Sequence, residues 1–156
     1  MSNEKTVSEM PERAQFLKQH GYHDMVKVEN LAEHPVVVRG NRGNSGAYFM
    51  FKNVNTQDAH ISEMKPGGTS KKHRHANEAV IYIVTGWGYS EISPDNVDVT
   101  RVEWKEGDLL AIPAMYWHQH FNSDPDAPAR YLAVTTVPIL EKLVYEVIEQ
   151  EANPDK

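Results

Sequence analysis

Four of the eight histidines fall in two His-x-His pairs, His73-Arg74-His75 and His118-Gln119-His120. On an extended strand, residues two apart point to the same face. Each pair therefore sends both imidazoles one way and turns Arg74 and Gln119 the other. Two such strands brought together aim three or four imidazoles at one point. Imidazole is a good ligand for Fe, Mn, Zn, Cu, Ni and Co, and three neutral nitrogens leave the ion its full charge and its open positions. Open positions are what catalysis needs, whereas a structural zinc site closes four ligands around the metal. One His-x-His alone is more often two polar residues at a strand end. Two of them, each beside a turn and set in β context, point to a metal. His20 and His23, at the end of a helical stretch, are given no role.

The rest of the composition narrows the chemistry. The chain has no cysteine, so any metal site uses N and O donors, and thiol nucleophiles and disulfides are excluded. With 16 basic and 22 acidic residues the formal charge is -6, and no basic run exceeds Lys71-Lys72, so nucleic acid is not an expected partner. Residues Met1 to Lys5 are polar and no apolar stretch is long enough to span a bilayer, which predicts a cytoplasmic protein with no membrane partner. At 156 residues, 40% hydrophobic and 24% charged, the chain has the size and composition of one packed domain.

The elements that must hold the histidines read as β-strands. Short apolar runs cover 34–39, 46–53, 60–64, 80–85, 89–92, 97–103, 109–112 and 130–136. Turn signals such as Pro66-Gly67-Gly68, Gly86 and Glu106-Gly107 separate them. Many strands with no helical pattern between them predict an all-β sandwich or barrel rather than βαβ units. A helix is expected over 8–20, with Ser8 as cap, Pro11 in the first turn and Gly21 as stop. A second is expected near the C-terminus, where Ile139, Leu140, Leu143, Val144, Val147 and Ile148 form an apolar stripe. The expected division is an N-terminal helix and arm over 1–45, a barrel over 46–136, and a C-terminal helix and tail over 137–156.

The sequence also resembles the cupin superfamily. Gly67, five residues, His73-Arg74-His75 and the later Gly86 fit its first motif, and Gly107, Pro113, His118 and Asn122 fit its second, with Met115 replacing the inner Gly. The resemblance implies a double-stranded β-helix, a jelly-roll barrel with short N- and C-terminal helices. It departs from the common pattern where a glutamate ligand is expected, since that position is Ala79, while Glu78 is one residue off and faces the other way. The stretch Tyr116-Trp117-His118-Gln119-His120-Phe121-Asn122 is similar to the branch containing gentisate 1,2-dioxygenases. That likeness implies Fe(II) on His73, His75 and His118, with His120 in the substrate pocket as a proton acceptor.

Two further departures bear on the substrate. Ring-cleaving members of that branch usually carry two cupin domains, and one is visible here. Where the branch has an arginine that holds a carboxylate, this chain has Ile81, which favours a neutral diphenol or another small chelator. Tyr48, Met50, Tyr82, Met115 and Trp117 are the candidates for substrate contact, each also readable as barrel core. Arg130 is left without a role. The expected activity is an Fe(II) dioxygenase acting on a small hydroxylated aromatic or similar chelating molecule, with Zn, Mn, Ni and Co as other ions the site suits. Competing readings are a non-catalytic sensor or accessory cupin, and an oxygen-independent isomerase, lyase or hydrolase. A homodimer is expected from the resemblance.

Overall fold

The structure, a computed structural model, describes residues 6–40, 42–143 and 148–151. Its elements in chain order are β1 (Thr6–Ser8), α1 (Met10–His20), β2 (Tyr22–Met25), β3 (Val37–Arg39), β4 (Asn44–Phe51) and β5 (Asp58–Met64). There follow β6 (His73–His75), β7 (Ala79–Thr85), β8 (Trp87–Ser93), β9 (Thr100–Lys105) and β10 (Leu109–Ile112). The last are β11 (Trp117–Asn122), β12 (Ala129–Thr135), α2 (Val137–Lys142) and β13 (Ile148–Glu151). No helix among the described residues is long and apolar enough to cross a membrane.

The strands form two facing sheets, as the spacing of short runs predicts. One has the order β1-β13-β6-β11-β8-β9; the other runs β10-β7-β12-β5-β4-β2, with β3 added beside β4. Every pairing is antiparallel except β2 with β4. Alternation within strands sorts the side chains. Met64, Ala79, Ile81, Ile83, Tyr131 and Ala133 fill the space between the sheets together with Trp104 and Ile112. Ala47, Phe49, Ala59 and Ile61 face the other side of their sheet and are covered by Val28, Leu31 and Val36 of the N-terminal arm. Arg130 holds this arm down, donating to the carbonyls of Leu31 and His34 and pairing with Glu63.

The motif residues are the joints of the frame. Gly86 turns β7 into β8 at φ +87°, and a Cβ there would come within 2.7 Å of Ala129, so both backbone sign and space require glycine. Buried Asn122 donates to the carbonyls of Lys65 (3.0 Å) and Ala127 (2.8 Å), tying two loops to the end of β11.

Both ends of the chain depart from expectation. Ser8 lies in β1 and the residue before α1 is Glu9, which makes no side-chain cap because its carboxylate is turned inward toward Arg42. The C-terminal stripe is not one helix. α2 ends at Lys142, and Ile148–Glu151 is a strand in which Ile148 and Gln150 are buried while Glu149 is not. Val144 and Val147 lie outside the described residues. The period switches from helical to alternating because β13 is needed as the partner of β6, pairing Ile148 with His75 and Gln150 with His73. The barrel sheets thus extend beyond residues 46–136 at both ends.

Candidate metal centre

β6 and β11 lie side by side, with His118 paired to His73 in the ladder. Because the side-chain period of a strand is two, His73, His75, His118 and His120 all project into the space between the sheets, and all four are buried. One ring nitrogen each from His73, His75 and His118 lies within 4.8 Å of the others, and His120 is not part of this group.

The backbone decides which nitrogen is free. His73 Nδ1 is 2.8 Å from the carbonyl of Lys71, His75 Nδ1 is 2.7 Å from that of Asn77, and His118 Nδ1 is 2.8 Å from that of Tyr116. A carbonyl only accepts, so each Nδ1 carries the proton and each Nε2 presents a lone pair to the centre. Burial drives the pKa of His73 and His118 well below the usual imidazole range and that of His75 down to about 4, with Arg42 adding to the effect at all three and the neighbouring histidines at His73 and His118. All three are neutral near pH 7, which is the ligating form. The donor set fits one divalent ion.

Ala79 is buried and lines the cavity, whereas Glu78 is exposed on the other face of the chain. No carboxylate from this motif joins the cluster.

His120 is held differently. Trp104 Nε1 donates to Ser90 Oγ (2.9 Å), and Ser90 Oγ lies 2.7 Å from His120 Nδ1. Ser90 is fully buried, its hydroxyl hydrogen needs an acceptor, and among its hydrogen-bond partners Trp104 only donates, so the hydrogen is directed at His120 Nδ1. The imidazole proton is thereby assigned to Nε2. Burial pushes the His120 pKa down to about 3, with His75 and Arg42 contributing. That protonation state suits donation of a hydrogen bond better than uptake of a proton.

A small cavity of about 40 Å³ opens beside the four histidines. Of the residues singled out for substrate contact, Tyr48 lines it. The other four do not. Tyr82 shares β7 with Ile81 but has the opposite parity, and it is 42% exposed on the outer face. Trp117 precedes His118 and so faces away, under the Arg74 guanidinium at 4.8 Å from its ring centroid. Met50 packs against Gly21 at the end of α1. Met115 sits in the turn before β11 with φ +59°, its N–H donating to the His75 carbonyl at 2.7 Å.

The cavity also contains groups that the sequence reading passed over. Arg42 reaches it from the turn before β4 and pairs with Glu9 (Nε to Oε1, 2.5 Å). Burial opposes its charge, but Glu9 together with Tyr48 and Tyr131 more than offsets that and raises the Arg42 pKa. Arg13 of α1 bridges Asp58 (3.1 Å) and Glu141 (2.5 Å). Thr135 also donates to Asp58, whose carboxyl burial nevertheless pushes up. His60 and Tyr131 complete the wall. Ile81 is buried there too, so the guanidinium groups of the cavity come from the N-terminal segment and not from β7. One sequence signal marked this wall. In Asp58-Ala59-His60-Ile61-Ser62 the polar residues alternate with apolar ones, so a strand covered on both sides has one polar face.

A cupin domain family model matches residues 60–135. Among characterised relatives, 5-aminosalicylate 1,2-dioxygenase of Comamonas sp. is 28% identical over 81 residues, which are 51% of this chain and 20% of the relative. Acireductone dioxygenase of Exiguobacterium sibiricum is 36% identical over 76 residues, 46% of this chain and 42% of the relative. The chain thus spans about a fifth of the first relative and less than half of the second. Among solved structures, a variant of salicylate 1,2-dioxygenase from Pseudoaminobacter salicylatoxidans superposes with a TM-score of 0.53 at 29% identity, over 64% of this chain and 28% of that one. A cupin 2 conserved barrel domain protein from Rhodopseudomonas palustris gives 0.51 at 25% identity, over 70% and 68%.

Proposed function

From a chain that is a cupin related to the gentisate-type dioxygenases, we propose an Fe(II)-dependent dioxygenase acting on a small hydroxylated aromatic or similar chelating substrate. The observation that carries the proposal is the convergence of three neutral histidines, each fixed through Nδ1 to a backbone carbonyl, with no carboxylate from the motif beside them. An iron ion held by His73, His75 and His118 would supply Lewis acidity and adjacent open positions for a chelating ligand and dioxygen.

The chain's own residues do the rest. His120 Nε2–H donates to an oxygen of the bound substrate, while Ser90 and Trp104 keep the ring in that tautomer. Ile81 and Ile112 offer an apolar wall, and the opposite side carries the polar ion pairs of Arg13 with Asp58 and of Arg42 with Glu9. Apolar walls with a few placed polar groups are what a small-molecule site needs.

The test is an oxygen-electrode screen of Fe(II)-loaded protein against hydroquinones, catechols, gentisate and small β-diketones. Oxygen uptake with one of them supports the proposal. Full iron occupancy without uptake from any of them overturns it in favour of a sensing or accessory role, and turnover under strict anaerobiosis overturns it in favour of an isomerase or lyase.

A further inference from the structure

We infer that His60 recognises the substrate by hydrogen-bonding an oxygen substituent that lies outside the chelating pair; this rests on the reading of the site as a holder of chelating ligands. The registers of β4, β5, β12 and β7 put Tyr48, His60, Ala133 and Ile81 in one row across the interior face of the sheet. All four line the cavity. Directly paired residues on adjacent strands stand about 5 Å apart, so the row spans the wall. It has a polar half at Tyr48 and His60, a gap where Ala133 contributes only a methyl, and an apolar half at Ile81.

The polar groups near His60 are already engaged. Tyr48 Oη accepts from Arg39 Nη1 at 2.5 Å. Asp58 is held by Arg13 and Thr135. His60 differs: no hydrogen bond joins its ring to any described residue, and its contact is a tilted stack on Tyr48 with centroids 4.8 Å apart. It lies outside the metal cluster. The ring is half-buried and lines the cavity, so its nitrogens are left to water or to a ligand. A phenylalanine or leucine would fill the same space, whereas the imidazole puts a polar edge on the cavity wall.

A ligand group pairs with that edge. The neutral imidazole offers one N–H and one lone pair, a match for a hydroxyl. Arg39, Arg42 and Arg13 disfavour the cationic form of the ring, which leaves a neutral imidazole to meet an oxygen substituent. The cavity therefore reads two features of a ligand, its chelating pair at the histidine triad and a further oxygen at His60.

The experiment uses cobalt(II)-loaded protein under anaerobic conditions, titrated with benzene-1,2,4-triol and with 4-methylcatechol and followed by the cobalt d–d spectrum. Both ligands chelate through adjacent hydroxyls and differ by a hydroxyl against a methyl elsewhere on the ring. The wild type is expected to bind the triol about tenfold tighter or more. His60→Phe is expected to erase that preference with cobalt content unchanged, and His60→Gln to restore part of it. A wild type without preference, a preference that survives in His60→Phe, or loss of cobalt from both variants overturns the inference. Failure to bind either diphenol overturns it together with the chelating-ligand reading. Discrimination without oxygen uptake overturns only the dioxygenase reading and leaves the role of His60 standing.

Discussion

His73 and His118 stand directly opposite each other on adjacent antiparallel strands, with ring centroids 4.1 Å apart. Two imidazoles this close are tolerable in a buried place only when both are neutral. The carbonyls of Lys71 and Tyr116 accept from their Nδ1 atoms and turn both Nε2 lone pairs the same way. A core of this size would pack more simply with aliphatic residues, so the pair is a burden on folding that a bound ion relieves.

The same burden sets a pH dependence. The folded-state pKa values of His60, His73, His75, His118 and His120 lie below the unfolded value of 6.5, at about 4 for His75 and about 3 for His120. Between those limits the unfolded chain takes up protons that the folded chain refuses, so stability rises with pH in that window and is lost as pH falls below 6.5. Each histidine contributes a slope of about 1.4 kcal/mol per pH unit while it is protonated only in the unfolded state. Thermal unfolding of metal-free protein is therefore expected to drop steeply between pH 6.5 and 4. A melting temperature that stays flat over that range would contradict the neutral, desolvated state of these rings.

Ser90 is a second point of test. Its hydroxyl serves Trp104 Nε1 and His120 Nδ1 at once, and all three residues are buried. Ser90→Ala leaves a donor and an acceptor unpaired and is expected to lower stability in urea titration by about 1–3 kcal/mol. Metal content should be unchanged, since none of the three belongs to the triad. A variant as stable as the wild type would mean that the network does not fix the ring.

Met115 occupies the left-handed region at φ +59°, in the motif position where the resemblance has glycine, and its side chain is 36% exposed. A non-glycine residue there carries strain of about 1–2 kcal/mol, and exposure leaves little packing to offset it. Met115→Gly is expected to raise stability, by about 1 kcal/mol once the added freedom of the unfolded glycine is subtracted. Differential scanning calorimetry decides it; a lowered melting temperature would show that the methionine side chain holds the turn.

The barrel, the triad and the outward turn of Glu78 were legible because they depend on local rules: period-two alternation, turn glycines and motif spacing. Ala79 facing in and Glu78 facing out follow from parity alone. The differences between expectation and structure have three physical sources. Tyr82 and Trp117 are large aromatics near the motif, and size suggested a pocket role where parity puts both on the opposite face from Ile81 and His118. β13 was hidden because Ile148 extends an apolar stripe of helical period, and only the unpaired edge of β6 makes a strand the better partner. Arg13, Arg42 and His60 were passed over because they come from three separate elements, and each alone reads as an ordinary surface or core residue. Only the closed barrel brings them to one cavity.

The most direct test of the account is metal content. Wild-type protein, His118→Ala and Glu78→Gln are each loaded with Fe(II) without oxygen, freed of excess ion and measured by elemental analysis, with circular dichroism to confirm the fold. The triad predicts one ion per chain in the wild type and in Glu78→Gln, and near-complete loss in His118→Ala. Retention of the ion by folded His118→Ala, or its loss from Glu78→Gln, would contradict the three-histidine centre.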